Sequence, residues 1–196
     1  MKKIEFLEAL QDRLPTKLHA KVLSLFIGRA FNQIIYDTFR KDLTSMDIFT
    51  KTYNNIPVVY DADTDIWYST LPVAIIQLPM SGDGVMSIHS MKGKGIEFAA
   101  KKAGMQEIHQ NLEVNTLSGP IPYWLMNGRV EYGIKSGIDT NTKVRMRVIP
   151  QFGALDMLEE IHIPSGKDEQ LMELVVQFAG GTPPEKEIND QSNKTT

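Results

Sequence analysis

The chain has 196 residues, 42% hydrophobic and 23% charged, with no cysteine and a formal net charge of −3. That is enough for one core with a small appendage; it excludes disulfides and thiolate metal sites and suits a chain made in a reducing cytoplasm. No apolar run approaches the ~18 residues of a membrane span, and Glu5 and Glu8 in the opening MKKIEFLEAL spoil a secretory signal.

The charge is unevenly placed. From Asp156 onward nine acidic residues face three lysines, a balance of −6, while the preceding residues carry 18 basic and 15 acidic groups, or +3. An acidic end on a mildly basic body is either an association pattern or a solvated acidic surface. His19, His89, His109 and His162 are scattered without metal-ligand spacing, so no metal or cofactor is expected.

In chain order, Ile4 to Arg13 reads as a short helix with Ile4, Leu7 and Leu14 on one side, ended by Pro15. Thr16 is a candidate N-cap for a long helix running to Lys41. In that helix Leu23, Phe26, Ile27, Ala30 and Ile34 form one stripe. Val22, Leu25, Tyr36 and Phe39 add apolar surface around the cylinder, and Gly28 bares the backbone. A helix so apolar all round predicts neighbours on more than one side, some of them other copies of the chain.

Past Asp42 the spacing becomes that of strands. Ile48–Tyr53 alternates, and Ile56–Tyr60 and Ile66–Thr70 flank the turn cluster Asp61-Ala-Asp-Thr-Asp65, which predicts a hairpin. Prolines 72 and 79 confine Val73–Gln77 to an edge strand. Ser81–Gly84 is a turn before a strand over Val85–Met91. Met91–Gly95 and Ala99–Gly104 read as a basic exposed loop, and Gln106–Thr116 as a short irregular helix. Tyr123–Met126, Asn127-Gly128 and Arg129–Ile134 carry the type I′ hairpin signature. Asp139–Thr142 turns into a strand over Lys143–Ile149. Ser165 is placed to cap a last helix, Asp168–Ala179, with Leu171, Leu174, Val175 and Phe178 on one stripe and Gly180-Gly181 ending it.

The fold class is therefore α+β, with helices segregated from an antiparallel hairpin region. Residues 1–182 form one domain: a helical part over 1–42, a β-rich part over 43–164 and a C-terminal helix over 165–180. An extended polar tail over 183–196 has too little to bury to fold alone.

Motifs for chemistry are few. Asp61, Asp63 and Asp65 supply the first ligands of a calcium loop, but Ile66 stands where glycine is needed and Pro72 where glutamate is needed. Lys92-Gly-Lys-Gly95 lacks the strand-to-helix setting of a phosphate loop. There is no GxSxG, no HExxH and no cysteine nucleophile, so no catalytic residues are assigned and an enzyme is not expected. Lys143, Arg145 and Arg147 share one strand face opposite Val144, Met146 and Val148. That face is either solvated or, with Lys92 and Lys94, a contact for DNA phosphates or for an acidic partner.

The helical hairpin, the steps Ile66-Trp-Tyr-Ser-Thr-Leu-Pro72 and Gln77-Leu-Pro79, the Tyr-Trp and Asn-Gly hairpin, the basic strand and the final Ile163-Pro-Ser-Gly-Lys-Asp-Glu169 resemble a known group. They are similar to small virion structural proteins of tailed phages of gut Bacteroidetes, crAss-like phages included, and in layout to head-to-tail connector (portal adaptor or ring) proteins. The resemblance implies a non-enzymatic, twelve-fold homo-oligomeric ring in the virion, touching the portal protein and neighbouring tail or ring proteins, with DNA passing through its lumen and no membrane. It implies subunit contacts at Val22, Leu25, Gly28, Tyr36, Leu171 and Phe178. Inter-ring contacts would fall at the hairpin tips Asp61, Asp63, Asp65, Asn127 and Gly128. The alternative is a soluble nucleic-acid-binding accessory protein using the basic strand and loop.

Overall fold

The computed structural model describes residues 2–14, 17–80, 82–91, 97–101, 120–133, 138–164 and 166–180. Helix α1, Lys3–Arg13, buries Phe6, Leu7 and Leu10. Its first-turn N–H groups find carbonyls in the chain: Lys3 donates to Glu159 O at 2.9 Å and Ile4 to Met157 O at 2.9 Å. Groups that a helix start leaves orphaned are thereby satisfied.

Helix α2, Ala20–Lys41, buries Leu23, Ile27, Ala30, Phe31, Ile34 and Ile35. Its cap is His19, whose Nδ1 accepts from Lys21 N at 3.3 Å, three residues beyond the expected Thr16, which lies outside the described residues. Arg40 and Lys41 close the helix, complementing its negative end.

Asp42 then redirects the chain. Its carboxylate accepts from Thr44 N at 2.9 Å and from the Thr44 and Ser45 hydroxyls, winding Thr44–Phe49 into a 3₁₀ helix with Met46 and Phe49 buried. The strand expected from Ile48 therefore begins only at Lys51. Phe31 packs at 5.9 Å edge-on to Phe49 and at 6.0 Å from Phe152, joining this turn to α2.

Among the described residues eight strands follow: β1 Lys51–Pro57, β2 Val59–Asp61, β3 Ile66–Thr70, β4 Val85–Ser90, β5 Phe98–Ala100, β6 Ile121–Met126, β7 Arg129–Tyr132 and β8 Lys143–Val148. They form a three-stranded sheet, β1-β8-β4, and a five-stranded sheet, β2-β3-β7-β6-β5. All pairings are antiparallel except β5 with β6. Inward residues of both sheets share one core, among them Ile56, Ile88, Val130, Tyr132, Val144 and Met146. A second core joins the helices to Ile76, Leu78, Ile149 and Phe152.

The expected strand over Ile56–Tyr60 is split between the sheets. Ile56 belongs to β1, Val58 is buried at the crossing with its N–H on Thr142 O at 3.0 Å, and β2 starts at Val59. The sheets are stitched there by Tyr132 Oη donating to Ser69 Oγ at 3.1 Å, which donates to Pro57 O at 2.8 Å. The edge strand expected over Val73–Gln77 reduces to a bridge between Ile75 and Pro150, with Ile76 N donating to Ile149 O at 3.0 Å and Gln151 N to Ala74 O at 2.9 Å. The expected loop over Ala99 is instead strand β5, aligned with β6.

Two hairpins form where their turn residues predict. β2 pairs with β3 from Asp61↔Ile66 to Val59↔Tyr68. Asn127 and Gly128 take φ of 50° and 79° between β6 and β7, the backbone that a type I′ turn requires. A final helix, α3, spans Asp168–Phe178, buries Leu171, Val175 and Val176, and ends at Gly180 with φ 78°. The α+β class stands. The readings for Thr16, Lys92–Gly95, Gln106–Thr116, Ser165 and the 183–196 tail fall outside the described residues.

Candidate interaction surfaces

The long helix is not apolar all round in its setting. Its buried stripe leaves an outer ridge on which Val22 is 39% and Leu25 69% exposed. A Cβ built on Gly28 meets nothing within 4 Å, so the backbone there lies open beside the ridge. The other expected subunit contacts are engaged within the protomer. Tyr36 donates its hydroxyl to Gln77 O at 2.5 Å. Phe178 is half-buried beneath the Arg29 guanidinium, 5.7 Å from its ring centre. Leu171 is wholly buried against α2, which corrects its place on a subunit face: it is the inward position of the α3 stripe, held by the molecule's own core.

A second apolar feature was not signalled by periodicity, because it comes from a turn. Met157 and Leu158 are both exposed, and Met157 helps line a groove of about 360 Å³ with Ile4, Leu7, Ala20 and Leu23 between α1 and α2. The neighbouring lysine is buried. Lys3 Nζ donates to Leu155 O at 2.6 Å and Phe152 O at 3.1 Å and lies 4.9 Å over the Phe152 ring. Burial lowers its pKa, and the charge of Asp156 partly opposes that shift.

The basic stripe is built as its alternation predicts. Val144, Met146 and Val148 are fully buried, while Lys143 and Arg145 are exposed. The three cations differ in what holds them. Arg147 meets Asp47 at 3.1 Å and Thr50 Oγ1 at 3.1 Å. Arg145 gives its Nε to the neutral Asn54 Oδ1 at 2.9 Å, on the β1 bulge where Asn55 takes φ 59°. The Lys143 ammonium has no ionic or hydrogen-bonding partner among the described residues. His89, exposed on β4 directly opposite Arg145, extends the face. Sequence alternation could not find it, since the β4–β8 pairing joins segments over fifty residues apart. Lys92 and Lys94 lie outside the described residues.

The acidic turn is exposed over residues 62–65. Asp61 Oδ1 accepts from Asp63 N at 3.1 Å. Hydrogen bonds from Thr64 and the turn backbone, together with the Arg129 charge 3.7 Å away, hold the Asp61 carboxyl below its ordinary pKa. Asp65 accepts from Tyr60 Oη, which raises the phenol's pKa. The two hairpin tips do not stand together. β3 runs from Ile66, paired with Asp61, to Thr70, paired with Arg129 next to Gly128. The Asp61–Asp65 and Asn127-Gly128 turns therefore lie at opposite ends of β3 in the five-stranded sheet.

Among the described residues no group of three or more His, Asp or Glu is placed to hold a metal, and no helix is long and apolar enough to cross a membrane. No protein-family model matches the chain, and a comparison with curated proteins finds no match.

Proposed function

We propose that the protein is a non-enzymatic virion structural protein that forms a homo-oligomeric ring in the head-to-tail connector of a tailed phage, beneath the portal and around the passing DNA. The observation that carries the reading is the outer ridge of α2. Leu25 projects 69% exposed from the second turn of a helix whose opposite side is packed, with Val22 and the open Gly28 backbone beside it. Val22 and Leu25, three residues apart, are neighbours on the helix surface, and contiguous exposed apolar surface is what association sites are made of. Side-by-side packing of α2 between copies covers it, and a heterologous contact repeated around a closing rotation makes a ring. The resemblance to connector proteins supplies the twelve-fold copy number and the portal and tail partners.

Light scattering on the purified chain tests this, with particle imaging of the assembled species. The wild type is expected to form a closed multimer and Leu25→Asp a folded monomer. A wild type that stays monomeric at the highest soluble concentration, or a Leu25→Asp variant that assembles normally, overturns the reading. The alternative, a nucleic-acid-binding accessory protein, draws on the exposed Lys143 and Arg145, and a salt-dependent DNA titration of the monomer distinguishes it.

A further inference from the structure

We infer that the basic sheet face at Lys143 and Arg145 is the receptor for the acidic β2–β3 turn, Asp63 and Asp65, of a second copy of the same chain. The inference deepens the ring reading by naming a second contact between subunits, and it rests on that reading. Its first support is uncompensated charge. Among the described residues of the basic face only Arg147 meets an acid, Asp47 at 3.1 Å; the Arg145 guanidinium is held by a neutral amide and the Lys143 ammonium by nothing. On the turn, Asp61 is the member near a cation, Arg129 at 3.7 Å, while Asp65 is held by a neutral phenol. Asp63 contributes only its backbone N–H, to Asp61. Among the described residues, two cations and two carboxylates without an ionic partner thus stand on one chain, each pair separated by a single residue.

Second, the pairs do not meet within the protomer. The turn belongs to the five-stranded sheet and the stripe to the outer face of the three-stranded sheet, and no ion pair joins them among the described residues. Complementarity that is unused in one copy is available between two. Third, the acidic C-terminal part is the weaker candidate. Glu159 is already paired with Lys51, Asp156 acts on the buried Lys3, and Asp168 and Glu169 sit in the first turn of α3, where the helix dipole favours them. Alternate residues on a strand stand ~6.8 Å apart on one face, so Lys143 and Arg145 present two separate seats. Arg145 also offers the planar fork that favours carboxylates.

The test uses the full chain and charge exchange. Asp63→Lys with Asp65→Lys, and separately Lys143→Glu with Arg145→Glu, are each expected to weaken self-association at least about tenfold, the loss of roughly 1.4 kcal/mol that two exposed ion pairs carry together. The chain bearing all four substitutions is expected to recover to within about threefold of the wild type, and the wild-type contact to weaken as salt rises. Should a reversed variant fail to fold, the neutral pairs Asp63→Asn with Asp65→Asn and Lys143→Gln with Arg145→Gln serve instead, with loss of the salt dependence as the readout. Association unaffected by either reversal, or no recovery in the fourfold variant, overturns the inference. So does a basic-face variant that assembles normally but loses binding to a short DNA duplex, which assigns the face to phosphates. Failure of the ring reading is separate: there the wild type is monomeric, or Leu25→Asp assembles like the wild type.

Discussion

Replacing Lys3 by Met is expected to leave stability at neutral pH within about 2 kcal/mol of the wild type while abolishing a rise in stability at alkaline pH. The lysine is 5% exposed, and its Nζ spends two hydrogen bonds on Leu155 O and Phe152 O and lies over the Phe152 ring. Hydrogen bonds from a charged donor contribute about 1.5–3 kcal/mol each, and the ring contact about 1–2 kcal/mol when desolvated. Against these stands the removal of an ammonium from water, several kcal/mol after relaxation, which makes a well-packed apolar substitute often neutral or stabilising. Met fills nearly the same volume. Phe152 O keeps the bond from Leu155 N at 3.3 Å, so only Leu155 O loses its partner, a cost of about 1–3 kcal/mol. The opposing terms nearly cancel.

The pH dependence has a definite sign. Burial lowers the Lys3 pKa in the folded state below its ordinary value of 10.5. Between the two values the unfolded chain binds the extra proton, so stability rises with pH across that window and is flat below it. Urea unfolding followed by circular dichroism at stepped pH from neutral upward measures both effects. A wild-type advantage over Lys3→Met that is unchanged across the window, or a loss above about 4 kcal/mol at neutral pH, would refute the reasoning.

Gly128→Ala should destabilise by about 1–2 kcal/mol, because an L side chain pays that much for left-handed backbone. A Cβ there meets nothing within 4 Å, so the whole cost is conformational; an unchanged denaturation midpoint would show that the turn relaxes to another type. Ser69→Ala should cost about 1–3 kcal/mol by stripping the buried Tyr132 hydroxyl of its acceptor and Pro57 O of its donor. The same change should leave assembly at matched folded fraction unaltered, as light scattering can check.

What the sequence disclosed was local. Asn127-Gly128 names its own turn, and the alternation over Lys143–Val148 sorts buried from outward residues without reference to any partner. The misreadings turn on groups outside the segment misread. The β-branched run from Ile48 looks like strand until the Asp42 carboxylate captures Thr44 and Ser45 and Phe49 finds Phe31. The break at Val58 depends on Thr142, far along the chain. In α2 the period was visible, but its buried side takes in Phe31 and Ile35 and leaves Phe26 only half-buried. Which flank of an apolar helix meets solvent is settled by what packs against it, here the 3₁₀ turn and α3. For the same reason Leu171 and Leu25 could not be told apart by hydropathy, although one is core and the other the best exposed apolar residue of the helix.

The placement of the two turns bears on how copies can meet. A two-fold contact made tip to tip at the Asp61–Asp65 end would press the same three aspartates against each other, and like charges brought together without counter-charge oppose association. At the far end of the sheet the Asn127-Gly128 turn carries no charge. A contact that uses the acidic turn must therefore find a different surface on the neighbour, and where each pair of copies makes that contact once, head to tail, the interface is heterologous and generates a ring when the rotation closes. In the proposed ring the α2 ridge would supply apolar burial, and the turn would supply register. Apolar surface is tolerant of sliding, whereas two ion pairs seated ~6.8 Å apart on one strand face are satisfied in one alignment and lost when the copies shift by a single seat.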